Sequence, residues 1–588
     1  MNDGCFHEKQ QVNKCVPVER IQTKLSARRG RVLLFSWFAG PVDPIMDKQY
    51  DLSVKLLEVL ANTKLNSGLS LREELHVGQR ISLWDVVGTY LVLYRFPLLF
   101  VSERGMAAWQ KRLAYFLRPY RGVGARFRDC IISAWNQGRK GCTEWPRGGE
   151  VVLFVCFTPS FYRDVLRPVA ELISRQNLAR VVVLHDGNFG KAGFDSEEKP
   201  IPQSFREHWG HDTEQVRQSM LEDLKRIQGK LFGGNEFESL TAHVRAYWGD
   251  INLKNEFYWL FWREFIRLIP QIAVGDHILS QHRPVLVVSA DDADQRCRVY
   301  SLLAKAMGVP TLLVQQGLSR RDHPEWSFLS HDVVAAMGEA SREDMIAQGV
   351  PTERIFVTGH PGFDDLVLPE ADVRAVVRDE LGIAADEKMI LFASQPYYVG
   401  VFNSPEKRKE MIQAVVKVAG ALENIRLVVK PHPGENTREL KSLIGSTRNA
   451  VLVERTRSIS GLIKACDIFV TCFSTSALQA LYAGKPVINI HFPDNGGSGL
   501  YVESGATWVA RSTDEVGTHI MNLISKRRDE EMRKKEEARE RFLRRMLFCT
   551  DGRAADRVVE IVADMLGKGH RTWQTINSPH LARSPHTR

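Results

Sequence analysis

The sequence predicts an α/β protein of two doubly wound parallel sheets with a cleft between them. Three observations carry that prediction. From Glu150 onward, apolar runs rich in Val, Ile and Leu alternate with amphipathic helical segments. Runs without polar alternation belong to parallel strands covered on both faces, because a half-exposed strand would alternate polar and apolar residues. The pattern pauses in the turn-rich passage "GHPGFDDLVLPE", near Pro361 to Pro369, and then restarts. Finally, 588 residues are too many for one core, and length alone suggests roughly two to four domains.

Residues 1–30 are polar and read as disordered. Their opening, "MNDGCFHEKQQVNKC", lacks the apolar centre of a signal peptide. No run approaches the roughly 18 apolar residues of a membrane span. Residues 31–149 open on a strand-like "RVLLFSWF" and continue as a mainly helical extension, either a cap on the first unit or an addition to its sheet. The first unit, residues 150–368, starts with strand "EVVLFVCF", helix "YRDVLRPVAELISRQ" and strand "RVVVLHD". After a long excursion come strand "PVLVVSA", helix "ADQRCRVYSLLAKAMG", strands "PTLLVQQG" and "VVAAMGE", the short helix "SREDMIAQG" and "RIFVTGHPG". The second unit, residues 369–525, runs from "MILFAS" through "IRLVVKP", "AVLVE" and "DIFVTCF" to "PVINIHF", with a helical segment between successive strands. Residues 526–566 are C-terminal helices. Their first part, "KRRDEEMRKKEEARERFLRRM", is a mixed-charge helix whose simplest reading is a solvated face. Residues 567–588 read as a flexible tail.

Composition narrows the function classes. Hydrophobic residues are 44% and charged residues 25%, ordinary for a soluble globular chain. The formal charge of +9 favours anionic partners such as nucleotides, phosphorylated sugars or an acidic membrane face. The nine cysteines, at 5, 15, 130, 142, 156, 297, 466, 472 and 549, form no C-x-x-C pair. They read as reduced thiols of a cytoplasmic protein. There is no zinc-ligand spacing, P-loop or G-x-G-x-x-G after a strand, and "GGSGL" lies in a loop rather than a nucleophile elbow. No metal site, cofactor or nucleic-acid partner is expected.

In open α/β sheets ligands bind beyond the carboxyl ends of the strands. One such end is "LVVKPHPGE". Pro431 stops the strand, and the flanking prolines restrict the backbone of His432. The imidazole either caps a turn or faces a phosphate. The second is "DIFVTCFSTSALQALYAGKPVI", where Ser474, Thr475 and Ser476 open a helix. Hydroxyls there N-cap the helix or surround a positive helix end that binds phosphate.

"VVKPHPGE" followed about 40 residues later by "FSTSALQALYAGKPVI" resembles the donor half of GT-B glycosyltransferases, which carry two Rossmann-like domains. It is more closely similar to bacterial capsule and surface-carbohydrate transferases with an HP motif and a later Ser/Thr pair: polysialyltransferases, capsular Kdo transferases and CDP-glycerol glycerophosphotransferases. "RIFVTGHPGFDDL" also resembles the interdomain passage of UDP-GlcNAc 2-epimerases. The likeness spans roughly residues 280–520. It implies that His432, Ser474 and Thr475 contact the phosphate of a nucleotide-activated sugar or glycerol donor, with Lys430, Pro433, Glu435 and Ser476 beside them. Several relatives bind ribose with a Glu on this helix. Here Gln479 stands there, and Glu503, in "HFPDNGGSGLYVESGA", is a second ribose candidate or part of a surface excursion.

The acceptor side needs a general base. Strand "VLVVSADDADQR" ends at Asp291, Asp292 and Asp294, and a rim carboxylate can take an acceptor hydroxyl's proton. Each can equally N-cap the following helix. Polysialyltransferases carry an acidic pair followed by Gly; Ala293 departs from that. Gln315, Gln316, Gly317 and Arg320 ("LVVQQGLSRRDH") and Glu339 ("MGEASRED") are further candidates for the acceptor cleft. The stretch 104–128, with seven Lys/Arg and several aromatics, reads as a basic helix or as peripheral contact with an anionic inner membrane face.

The expectation is a metal-independent transferase that builds a bacterial surface polysaccharide on a glycan or lipid-linked acceptor. His432, Asp291 and Asp292 are its catalytic candidates. An isomerase like the UDP-GlcNAc 2-epimerases, or a non-catalytic GT-B-like subunit of a glycan assembly complex, are the alternatives.

Overall fold

The computed structural model describes residues 44–100, 145–186, 200–318, 323–367, 373–396, 404–432, 435–454, 457–472, 474–492, 499–525 and 530–569, apart from 79, 147, 250 and 252. The strand-like run at 31–38, the basic stretch 104–128, Arg320 and Pro433 fall outside them.

The extension begins with α1 (Pro44–Asn62). A two-residue antiparallel pair, His76–Val77 with Ile81–Ser82, leads into α2 (Leu83–Tyr90), whose first turn is capped by Ser82. The excursion of the first unit supplies α3 (His211–Gly233) and α4 (Phe265–His282). Leu56, Leu60, Trp84, Leu224, Phe265 and Ile272 from these helices share one core with Leu153, Val155 and Val182 of the first sheet. The extension is therefore a cap on one sheet face, and neither of its short strands joins the main sheet.

The first sheet has seven strands: β1 (Val151–Val155), β2 (Arg180–His185), β3 (Ile201–Ser204), β4 (Leu286–Ser289), β5 (Thr311–Val314), β6 (Val333–Ala336) and β7 (Ile355–Val357). Their order is β3-β2-β1-β4-β5-β6-β7, and every pairing is parallel. The second sheet has six: β8 (Lys388–Ala393), β9 (Ile425–Lys430), β10 (Ala450–Leu452), β11 (Ile468–Thr471), β12 (Val487–Ile490) and β13 (Trp508–Ala510). Its order is β10-β9-β8-β11-β12-β13, again all parallel. Both orders reverse once, between β1 and β4 and between β8 and β11. Such reversals open a crevice at the carboxyl ends. The expected architecture is present: two Rossmann-like doubly wound sheets with a helical extension. Helix α5 (Gln295–Ala306) follows β4, and α6 (Ser476–Tyr482) follows β11.

The C-terminal helices do not form a unit of their own. The apolar face of α7 (Glu530–Leu547), with Phe542, Leu543 and Leu547, packs with Leu478, Leu481 and Tyr501 of the second unit. Its charged residues pair along the other face, as in Lys534–Glu530. Helix α8 (Ala554–Met565) then returns to the first sheet, where Val558, Val559 and Val562 pack on Val152, Phe154 and Val288. Each such side chain contributes about 1.5–3 kcal/mol on burial. The same core that holds α7 contains Leu318, Met337 and Phe363 of the first unit, so the units share apolar contact. At Gly338 a Cβ would collide with the backbone of Met546, so only glycine lets α7 end there. The five described cysteines are free thiols. Among the described residues no helix is long and apolar enough to cross a membrane.

Asp364 anchors the return. Its two carboxylate oxygens accept the backbone N–H groups of Ala554 and Ala555, at 3.0 and 2.7 Å, in a buried N-cap of α8. Asp364→Ala leaves both donors without that acceptor and should cost about 1–2 kcal/mol. An unchanged urea-unfolding midpoint would show that α8 docks by apolar packing alone.

Candidate active site

Strand β9 carries apolar residues to Val429 and ends at Lys430. Pro431 has no N–H to continue the ladder, so the chain turns. His432 stands in that turn, half-buried. Its backbone N–H donates to Glu435 Oε2 at 2.9 Å, and Glu435 N–H donates to His432 O at 2.9 Å. These reciprocal bonds close the turn. Glu435 Oε1 accepts from Ser394 Oγ and from Arg408 Nη2, each at 2.6 Å. Arg408 also donates to the Gln395 carbonyl at 2.7 Å. Glu435, expected at the donor, is instead a buried clamp joining the ends of β8 and β9. Its carboxylate must stay inside, because a buried charge without its partner costs several kcal/mol. Lys430 is buried as well and donates to the Pro431 carbonyl at 3.0 Å. Burial lowers the His432 pKa below its ordinary range; Glu435 opposes the shift and Lys430 adds to it. Near neutral pH the ring is uncharged, with one nitrogen to donate and one to accept.

At the neighbouring switch point, Thr471 Oγ1 donates to the Ala393 carbonyl at 3.0 Å and ties β11 to β8. The three hydroxyls beyond β11 do not act alike. Ser474 and Ser476 are buried with their oxygens 2.6 Å apart, and Ser474 Oγ accepts the Ser476 N–H. Their mutual bonds build the start of α6. Thr475, the N-cap residue, is half-buried and makes no capping bond, unlike Ser474. Gln479 is half-buried one turn further on. Glu503 is exposed at the end of the short helix Gly499–Glu503, its carboxylate lying over Gly499. Two residues escaped sequence reasoning here. Among the described residues, fully buried Asn489 on β12 finds no partner for either amide atom, and the Oε1 of buried Gln395 finds none. Buried amides without partners are costly and rare. The only sequence signal was one Asn inside the apolar run "VINI".

On the first sheet the acidic run separates into three roles. Asp294 N-caps α5, accepting the Arg296 N–H at 2.9 Å, and pairs with the Arg296 guanidinium. Asp292 is buried against Arg298 at 2.7 Å, His331 Nδ1 at 3.0 Å and the Ser330 N–H at 3.2 Å. Burial works against its charge, but Arg298, His331 and Ser330 together hold its pKa below the ordinary range. His331 Nε2 in turn meets Ser289 Oγ at 2.8 Å, and Arg298 donates to the Asp85 carbonyl of α2 at 2.7 Å. Asp292, expected as a base, is thus a structural anion whose oxygens are already engaged. Asp291 is the carboxylate that remains at the rim. One of its oxygens accepts the N–H groups of Ala293 and Asp294, at 2.9 and 3.0 Å. It lines a pocket with Gln315, Gln316, Gly317, Glu325 and Trp326. Burial first, and the charge of Asp294 second, push its pKa up to about 7.

The other acceptor candidates are mixed. Gln315 is used by the fold, accepting the Met337 N–H and donating to the Gly317 carbonyl and Ser341. Gln316 and Gly317 line the Asp291 pocket. Glu339, exposed at the start of the helix Glu339–Ala347, pairs with Arg342 at 2.6 Å and is not among the residues lining that pocket. Among the described residues no three His, Cys, Asp or Glu side chains gather as metal ligands.

Comparison with known proteins adds three findings. Residues 315–564 match the family model described as CDP-Glycerol:Poly(glycerophosphate) glycerophosphotransferase. A UDP-N-acetylglucosamine 2-epimerase of Salmonella typhimurium is 26% identical over 194 residues, 30% of this chain and 50% of that protein; the match thus spans half its length. Among solved structures, the S. aureus MnaA–UDP co-structure aligns at 15% identity and TM-score 0.46, covering 72% of this chain and 98% of the other. A glycosyltransferase from Rickettsia africae aligns at 11% identity and TM-score 0.44, covering 71% and 99%. The family match, with the fold described above, supports a transferase.

The Asp291 shift has opposite consequences for rate and stability. Acting as a base, Asp291 would first have to lose its proton, and turnover would then rise with pH through about 7. Because the folded pKa lies above the unfolded one, the stability this group contributes is full at acid pH, below the unfolded value. It is lost as pH rises through about 7. Asp291→Asn should lower turnover by roughly 100- to 10,000-fold and flatten both profiles. A variant that keeps its rate and its pH dependence would remove Asp291 from the chemistry.

Proposed function

We propose that this chain is a metal-independent GT-B transferase moving a glycosyl or glycerophosphate unit from a nucleotide-activated donor to a surface-glycan acceptor. The observation that carries this reading is His432, uncharged and clamped through its backbone at the carboxyl rim of the second sheet, one strand from the switch point where α6 begins. A helix start and a donor imidazole together suit a phosphate. The glycerophosphotransferase match includes His432, Thr475 and Gln479 but not Asp291. The donor half therefore rests on likeness and geometry together, the acceptor base on geometry alone.

In this reading the donor's phosphate lies between His432, Thr475 and the N-terminus of α6. The acceptor hydroxyl attacks the transferred centre as its bond to the nucleotide phosphate breaks. The hydroxyl proton passes to Asp291. The charge left on the departing nucleotide is met by the His432 N–H and the helix end, a preorganised arrangement that needs no reorientation during the step. Gln479 or Glu503 would bind the ribose. A lipid-linked acceptor would bring the enzyme to the inner face of the bacterial membrane as a peripheral protein. The Salmonella relative supports a second reading, isomerisation of a UDP-sugar without an acceptor.

Four nucleotides separate the donor classes. In a thermal-shift series of CMP, CDP, UDP and GDP, one should raise the melting temperature by mass action, and His432→Ala should weaken that shift while leaving the ligand-free melt unchanged. Loss of this contact should also lower transfer about 100- to 1,000-fold. Unchanged turnover in the folded variant would overturn the role of His432. Conversion of UDP-GlcNAc by the enzyme alone, with no acceptor, would favour the isomerase.

A further inference from the structure

The helical segment Leu253–Trp259, the π turn Leu260–Glu264 and α4 form one continuous run. Tyr258, Trp262 and Ile266 stand four residues apart on it, at 38%, 42% and 39% exposure. Lys254 extends the same row, its ammonium 5.7 Å from the Tyr258 ring. Between 253 and 267 the exposed side chains are Lys254, Tyr258, Trp262, Ile266 and Arg267. None is acidic. Both acids of the segment point inward: Glu256 is fully buried against Arg95 at 2.8 Å, and Glu264 is buried and paired with Arg267. A surface that exposes large apolar groups and cations while burying its acids suits an anionic bilayer, where aromatic rings sit at headgroup depth and cations meet lipid phosphates.

We infer that this row, Lys254–Tyr258–Trp262–Ile266, docks the enzyme on an anionic phospholipid surface. A glycan platform fits less well. Tyr258 stacks on Phe232 at 5.2 Å and forms an edge-to-face pair with Trp262 at 4.7 Å, so the rings pack on one another instead of presenting a flat open platform to a sugar. Ile266 adds nothing to sugar stacking and much to insertion. Arg267, next to Ile266, donates to Gln295 Oε1 at 2.6 Å, and Gln295 opens α5 directly after its cap Asp294, a few residues beyond Asp291 at the rim. The docked face would bring a lipid-linked acceptor to that rim, which rests on the transferase reading; the docking itself does not.

The test is sedimentation of the full-length protein with vesicles of phosphatidylcholine and phosphatidylglycerol. The wild type should bind, and Tyr258→Ser/Trp262→Ser should bind at least about tenfold more weakly while keeping its far-ultraviolet circular dichroism and a cooperative melt. Lys254→Glu should weaken binding to these vesicles but not the small residual binding to pure phosphatidylcholine. High salt should weaken the wild type without abolishing its binding, because screening removes the ionic part only. Equal sedimentation of the double variant and the wild type overturns the proposal. So does an absence of vesicle binding together with retention of soluble surface polysaccharide by the wild type and not the variant, which would make the row a glycan platform. Nucleotide-induced thermal shifts measured on the same variants keep the two readings apart. If the shifts persist while vesicle binding is absent from the wild type, docking fails and the transferase reading stands. If docking holds and no nucleotide binds, the reverse is true.

Discussion

A parallel strand covered on both faces has no place for a polar side chain except at its ends. That constraint governs both halves of this molecule. Leu153 and Val155 face the helical cap while Val152 and Phe154 face α8. Val428 and Phe469 face α7 and the first unit, while Val429 and Val470 face the helices behind. With both faces occupied, Ser289, Asp291, Thr471, His432 and Ser474 all gather where the strands stop. The carboxyl rim then holds the polar groups of the candidate site, and the strand-order reversals open it into a crevice.

The two rims are built by the same device. A helix sends an arginine inward to a carboxylate in a strand-end turn: Arg408 to Glu435 on the second sheet and Arg298 to Asp292 on the first. Taking such charges out of water consumes much of the attraction they recover, so these pairs are poor sources of stability. Their effect is geometric. Glu435 holds the His432 backbone by a hydrogen bond. Asp292 holds Ser330 and His331 against the loop whose next residue is Asp291. Beside each clamp stands one group with a shifted pKa: burial lowers His432, and burial with the charge of Asp294 raises Asp291.

The last two described helices tie the two units together. Helix α7 closes the second core and α8 crosses to the first, anchored by Asp364. The crossing joins the units twice, by the main chain after β7 and again here. The close approach of Met546 to Gly338 shows how little room that second join has.

Much of this was legible in the sequence. Continuous apolar runs predicted both parallel sheets, and prolines flanking a histidine marked the end of β9, because these signals act over a few residues and depend on covalent geometry and burial alone. The roles of the acids were not legible. Asp291, Asp292 and Asp294 are one residue type in one short run, yet one is a rim carboxylate, one a buried anion and one a helix cap. What separates them is Arg298 and His331, which reach the loop from other elements. Glu435 looked like a ligand residue until Arg408 and Ser394 met it, and "EEMRKKEEARERFLRRM" showed its charges without showing which core its apolar face would enter. Local sequence determines where a strand must end and which polar groups stand there. Only the tertiary structure decides which of those groups are consumed by distant partners, because a buried charge is settled by whatever counter-charge the fold delivers to it.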